Sequence, residues 1–333
     1  MAKIIINPLP NDKKLPEFGK KQKDRIDIEA DETIKKIISS GLLLTRDLNK
    51  LLSQILNYSN EIEKNISLLE DESFPEVEFQ TIENDVFDEL LQKGFIQLRK
   101  EDPTKARTLI NEVVRKYESE KRITKREEII LEIENISNTI EEGVSNFESL
   151  QGVDLGNLPS VKLYICKFCH QVIQKFKFAR STCGCGRILE FKDTYTKIIT
   201  CINENLKNFI RNNLWLEYGA EKLFQDCGYN TECGINLMGS SGITQEIDVI
   251  VEKKGNKIIV ECKAGNIELN NILIFYSKMM DLGIFRGFIF TTKPLNEIEP
   301  AVQKFSTSKN ISIIPLILET PTVNLKEIIN NIK

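Results

Sequence analysis

Charge set inside a run of β-branched residues constrains this chain more than any other feature. Gln245-Glu246-Ile247-Asp248-Val249-Ile250-Val251 is followed by Lys253-Lys254-Gly255-Asn256, then by Ile258-Ile259-Val260-Glu261-Cys262-Lys263. The pattern predicts two β-strands joined by a tight turn. Side chains alternate across a strand, so Glu261 and Lys263 share a face, as do Glu246 and Asp248. Burying charges among Val and Ile is costly unless they are paired or hold a metal ion. A divalent cation offsets that cost well.

At 333 residues the chain exceeds one ordinary core, and two or three units are expected. A net charge of −4 and a pI near 5.5 argue against a protein that coats nucleic acid wholesale, and leave room for a local basic patch. The N-terminus shows no signal-peptide core, and no apolar stretch approaches the roughly 18 residues of a membrane span. A cytoplasmic location without membrane contact is expected, with eight reduced cysteines available for metal rather than disulfides. His170, beside Cys169, is the only histidine, which leaves no Ser-His-Asp triad on the core and excludes a two-histidine zinc hydrolase. There is no G-x-x-x-x-G-K-[ST] loop, so no nucleotide cofactor is expected.

Residues 1–26 read as a flexible charged leader. From 27 to 158 the chain is poor in glycine, and Ile34, Ile38, Leu48, Leu52, Ile55, Ile62, Ile66 and Leu69 recur mostly at three- and four-residue steps. Ile133, Ile136, Ile140, Val144 and Phe147 repeat the pattern. Ser73-Phe74-Pro75 is expected to break the first long helix, and Asp102-Pro103 to cap and open another. The expectation is an all-α bundle or coiled coil; a homodimer is expected through it, through the C-terminal domain, or through both. Gly152 to Pro159 reads as a linker.

Residues 159–195 hold Cys166-Lys167-Phe168-Cys169 and Cys183-Gly184-Cys185-Gly186, with 13 residues between the pairs. Two such turns can close a tetrahedral Zn²⁺ site through Cys166, Cys169, Cys183 and Cys185, and the segment resembles a zinc ribbon. Gly184 and Gly186 let amides approach the sulfurs. His170 could replace a ligand, although four cysteines suffice. Lys167, Lys175, Lys177, Arg180 and Arg187 lie here among Phe168, Phe176, Phe178 and Phe191, a composition suited to DNA phosphate contact.

From 196 to 333 the pattern is a mixed α/β sheet with helices on both faces. Helix is expected from Tyr195 to Asp226, strand from Asn230 to Leu237, and then the acidic hairpin. Helix Leu269–Leu282, strand Gly287–Thr291, helix Leu295–Phe305 and strand Ile311–Leu316 complete it. Glu217 stands eleven positions before Gly228-Tyr229; Gly239-Ser240-Ser241-Gly242, Glu246-Ile247-Asp248 and Glu261-Cys262-Lys263 follow. On these residues the last 120 or so positions resemble the PD-(D/E)xK nuclease superfamily, in its Mrr-like restriction-endonuclease branch, with relatives among archaeal Holliday-junction resolvases and RecB-type nucleases. Ile247 replaces the usual proline before the acid.

The resemblance implies a restriction-endonuclease-like fold and Mg²⁺-dependent (or Mn²⁺-dependent) hydrolysis of DNA in defence against foreign DNA. Repair or junction cleavage, or a catalytically inactive zinc-ribbon DNA-binding protein, are the alternatives. It implies Asp248 and Glu261 as Mg²⁺ ligands with the Cys262 carbonyl, Lys263 at the attacked phosphate, and Glu217 at a second ion or a metal-bound water. Glu246, Ser240 and Ser241 are auxiliary candidates, and Lys278 on the following helix could approach the substrate backbone or be solvated.

Overall fold

Apolar residues at helical spacing build the first half of the chain into α1 (Lys23–Ala30), α2 (Glu32–Ser39), α3 (Arg46–Glu70), α4 (Asn84–Gln92), α5 (Phe95–Glu101) and α6 (Pro103–Gln151). The structure, a computed structural model, describes residues 20–21, 23–70, 84–173, 181–316 and 329. The expected break at Ser73-Phe74-Pro75 lies outside them. Asp102 caps α6, its carboxylate accepting the N–H groups of Thr104 and Lys105, both at 3.1 Å. Asp31 does the same for α2 through Thr33 and Ile34.

The chain divides into two compact units that interleave along the sequence. One comprises Met1–Ser53, Phe147–Asn157 and Asn203–Lys333; the other comprises Gln54–Asn146 and Leu158–Ile202. This grouping differs from a linear division at 27–158, 159–195 and 196–333. The first helices belong with the sheet because they bury Ile28, Ile34 and Ile37 there, α1 and α2 lying against α7 (Glu204–Arg211) and α2 also against α8 (Leu214–Asp226). Tyr218 donates to Glu29 at 3.0 Å, and Asn203 to Asp31 at 2.6 Å.

The first unit holds a six-stranded sheet in the order β1 (Lys20–Lys21), β7 (Asn230–Met238), β8 (Thr244–Lys253), β9 (Asn256–Lys263), β10 (Gly287–Thr291), β11 (Ile311–Pro315). The first four strands pair antiparallel and the last three parallel. Lys20–Lys21 and the start of α1 fall in the expected leader and form strand and helix. Lys254 and Gly255 both adopt left-handed backbone (φ 54° and 80°), which closes the β8–β9 hairpin in two residues. Every residue of β10 is buried, as expected of a strand covered on both faces. On one side Phe275 and Met279 of α9 (Leu269–Leu282) pack on Ile259 and Ile289. From alternate positions of β10, the rings of Phe288 and Phe290 meet Phe224 of α8 at 6.0 and 5.9 Å. Each buried Phe contributes about 2–3 kcal/mol.

Two expected elements differ. The helix expected from Tyr195 begins only at Glu204, because Thr194–Thr200 is β6, paired antiparallel with β2 (Ser160–Cys166). Threonine, tyrosine and isoleucine favour the extended backbone when a partner strand is present. The helix expected from Leu295 is a 3₁₀ turn (Leu295–Glu297) followed by α10 (Pro300–Ser308), since Pro300 starts a helix better than it continues one.

In the second unit β2 lies between β6 and β3 (Val172–Ile173), with a ribbon of β4 (Ser181–Thr182) and β5 (Ile188–Leu189). Ser137 of α6 accepts from Thr200 N–H at 2.9 Å, and Ser59 of α3 accepts from Ile202 N–H at 3.2 Å. Among the described residues no helix is long and apolar enough to cross a membrane.

Candidate functional site

The β8–β9 ladder stops at Val249↔Val260. Beyond that pair β8 continues along β7 as far as Met238↔Thr244, while β9 continues along β10 as far as Lys263↔Thr291. The sheet therefore forks, and Asp248 and Glu261 are the first residues on its two arms. A fork strands backbone groups that the ladder would have paired. The Cys262 N–H donates instead to the Asp248 carboxylate at 2.7 Å, so the acid closes the mouth of the fork.

Glu261 is 9 % exposed and accepts from two ammonium groups, Lys263 Nζ at 2.8 Å and Lys278 Nζ at 3.1 Å. Asp248 has no cation within ion-pair distance among the described residues. Burial, and then the neighbouring charge of Glu261, push its carboxyl up to about 6, against the helping bond from Cys262 and the fields of Lys278 and Lys263. Burial alone would depress Lys263, but its bond and charge interaction with Glu261 prevail and hold the ammonium above its ordinary range. Lys263 is thus held as a cation beside Glu261. Glu217 of α8 is 7 % exposed. Burial first, and then the charges of Asp248, Glu217 and Glu261, push the Cys262 thiol well up, so Glu217 faces the same region. The oxygen donors suit a hard divalent ion, and an acid that resists ionisation without a counterion is what such an ion would relieve.

Two of the auxiliary candidates, Ser240 and Ser241, are bonded to an acid of α9. Ser240 and Ser241 hydroxyls donate to Asp281 at 3.1 and 2.9 Å, the Ser241 N–H at 2.8 Å and Gln245 at 2.9 Å. A side chain at Gly239 would sit 1.9 Å from Asp281 Oδ2, so only glycine lets the loop come this close. These bonds, led by the Ser241 N–H, hold the Asp281 carboxyl down at about 2. The anchor is therefore complete above the ordinary carboxylate range and is lost only as pH falls through about 2. Asp281→Ala should accelerate hydrogen exchange at the Ser241 amide without unfolding the sheet; unchanged exchange would show that the loop is held by other contacts. Glu246 is exposed on β8, and Glu221 accepts from Thr231 at 3.2 Å.

The second cluster is sulfur. The Sγ atoms of Cys166, Cys169, Cys183 and Cys185 all lie within 4.8 Å of one another, a group able to hold a metal ion such as zinc; among the described residues no other set of three or more His, Cys, Asp or Glu side chains gathers its ligand atoms in this way. Cys169 and Cys183 sulfurs are 3.2 Å apart. The Cys183 thiol lowers Cys169 to about 5, while that same contact and burial raise Cys183. A metal ion would bind these sulfurs as thiolates and release their protons. Phe168 N–H donates to Cys166 Sγ at 3.4 Å, and Gly186 turns the second knuckle at φ 82°.

His170 stands outside the cluster, its Nδ1 bonded with Tyr195 at 3.2 Å and its Nε2 3.4 Å from Glu127. The proposed DNA contacts are partly committed to the fold. Lys167 donates to the Lys192 carbonyl at 2.6 Å, and the Arg187 guanidinium lies 3.8 Å over the Phe168 ring. Lys175, Lys177 and Arg180, with Phe176 and Phe178, lie outside the described residues.

Two residues carry more of these sites than the sequence suggests. Lys278 follows Phe275 by three positions and precedes Leu282 by four, so it lies on the buried stripe of α9; that spacing was the available signal. Gln171 is buried, accepts from Gly184 N–H at 2.8 Å and Cys183 Sγ at 3.2 Å, and donates to the Glu70 carbonyl at 3.1 Å. No local pattern marks it.

No family model matches the chain. An uncharacterized protein of Archaeoglobus fulgidus is 29 % identical over 83 residues, which are 23 % of this chain and 47 % of that protein. The chain thus spans about half the length of that relative. Among solved structures, AF1548, a protein of unknown function, is 25 % identical with TM-score 0.25, covering 28 % of this chain and 53 % of the other. Can2 from Sulfobacillus thermosulfidooxidans, solved with cyclic tetra-adenylate, is 16 % identical with TM-score 0.32, covering 39 % and 38 %. VC1899 from Vibrio cholerae is 16 % identical with TM-score 0.33, covering 59 % and 51 %.

Proposed function

We propose that this chain is a divalent-metal-dependent nuclease that hydrolyses phosphodiester bonds of DNA, with restriction of foreign DNA as its role. The observation that carries the reading is the fork: two carboxylates at the first positions past the end of a ladder, one of them without a cation among the described residues, and a lysine two residues along from the other. Asp248, Glu261 and the Cys262 carbonyl would hold Mg²⁺ or Mn²⁺. When bound, the ion supplies charge to phosphate oxygens and orients water. Lys263 offers a permanent positive charge where the phosphate gains negative charge in the transition state, and such preorganised charge is worth about 10²–10³ in rate. Glu217 is proposed to orient a water from the α8 side. The cysteine cluster is proposed to hold Zn²⁺ as a structural ion, and the residues around it to contact DNA; a homodimer would supply two sites for two strands.

The test is incubation of the full chain with linear, methylated and four-way-junction DNA and with RNA, in Mg²⁺ or Mn²⁺, beside Lys263→Ala. Metal-dependent cleavage of DNA that the variant loses supports the reading, and preference among the substrates separates restriction from repair. No cleavage of any nucleic acid in either metal would overturn it.

A further inference from the structure

Lys278 ties the two arms of the fork together from outside the sheet. Its Nζ lies 3.1 Å from Glu261 Oε2 on β9 and 3.1 Å from the Glu246 carbonyl on β8. Lys263 takes the other Glu261 oxygen at 2.8 Å, so both oxygens of that carboxylate already face a cation. Asp248, on the opposite arm, accepts only the Cys262 N–H among the described residues. Counting full charges, Asp248, Glu261 and the buried Glu217 outnumber Lys263 and Lys278 by one.

A divalent ion added to this set leaves one excess positive charge in a half-buried place, where Coulomb interactions are several times stronger than in water. One cation must therefore withdraw, or negative charge must arrive. Lys263 is fixed on the strand two residues from Glu261. Lys278 reaches in from a separate element, α9, and besides Glu261 bonds only the neutral Glu246 carbonyl among the described residues, whereas Lys263 is needed at the phosphate on the reading above.

We propose that Lys278 is the counterion a divalent metal displaces from Glu261, a positioning residue that sets how tightly the fork holds its metal. The inference rests on the metal-dependent reading above. Because the ion must first take Glu261 from an ammonium, the wild-type site binds metal weakly until a polyanion draws Lys278 away. Metal and nucleic acid then strengthen each other's binding, and linkage makes the effect reciprocal.

The test is a calorimetric titration of Mn²⁺ into the full chain, without nucleic acid, for wild type, Lys278→Met, Lys278→Gln and Lys278→Arg, with Asp248→Asn identifying the heat that belongs to the fork. Lys278→Met should bind Mn²⁺ about tenfold more tightly, equivalent to about 1.4 kcal/mol, and Lys278→Arg as weakly as wild type. Lys278→Gln keeps a donor for the Glu246 carbonyl while losing the charge, so it carries the same expectation if the Met variant fails to fold. Fork binding that is equal or weaker in both neutral variants overturns this inference alone. No Mn²⁺ heat that depends on Asp248 in any protein would sink it together with the nuclease reading.

Discussion

Asp248→Asn should abolish DNA cleavage, by about a hundredfold to a thousandfold or more, and at the same time stabilise the metal-free protein above pH 6. The two effects share one cause. Burial and Glu261 raise the Asp248 carboxyl to about 6, so the folded chain resists its ionisation. A raised carboxyl pKa contributes stability that is fully present below the unfolded value near 4 and is lost as pH rises through about 6. Asparagine keeps an oxygen for the Cys262 N–H and never ionises. The variant should therefore match wild type near pH 4 and exceed it by about 3 kcal/mol above pH 6, taking about 1.4 kcal/mol per pKa unit. Thermal melts across pH 4–8 in Mg²⁺-free buffer would read this out. A variant less stable than wild type at pH 8 would mean that Asp248 is a stabilising ion-pair partner, and that no metal is needed to explain it.

Removing one knuckle cysteine should be the most damaging change in the second unit. Gln171 joins the second knuckle to the end of α3, Arg126 of α6 donates to the Cys169 carbonyl at 3.1 Å, and Lys197 pairs with Glu134. A metal holding four sulfurs would thus fix the strands on the helices as well as the knuckles on each other. Structural zinc supplies about 10–16 kcal/mol in zinc-finger peptides, so losing even a quarter of that would lower the melting temperature by about 10 °C. Cys183→Ser should show that loss together with the loss of one bound zinc per chain by atomic absorption, whereas Cys201→Ser should keep its zinc. Retention of full zinc and full stability in Cys183→Ser would remove the cluster from the account.

The elements of the acidic hairpin were legible because alternation and a Lys-Gly turn act locally. Helix Leu269–Leu282 and strand Gly287–Thr291 were legible for the same reason. β6 was not, because Ile198, Ile199 and Ile202 also fit a helical stripe, and only pairing with Ser160–Cys166 decides between them. The fork itself could not be read, since where a ladder ends depends on which neighbour each arm follows. The bonds from Ser240 and Ser241 to Asp281 could not be read either, because that acid lies some forty positions away. The assignment of the first helices to the sheet unit was hidden likewise, because apolar stripes state that a face is buried without stating against what.

The central claim is that the two arms of the fork share a divalent cation. Crystals of the full chain soaked in Mn²⁺ and measured for anomalous scattering test it directly. The account predicts one strong peak within ligand distance of both Asp248 and Glu261, with Lys278 withdrawn from Oε2. A map with no peak at the fork, and with Lys263 and Lys278 still closed on Glu261 at high Mn²⁺, would contradict it.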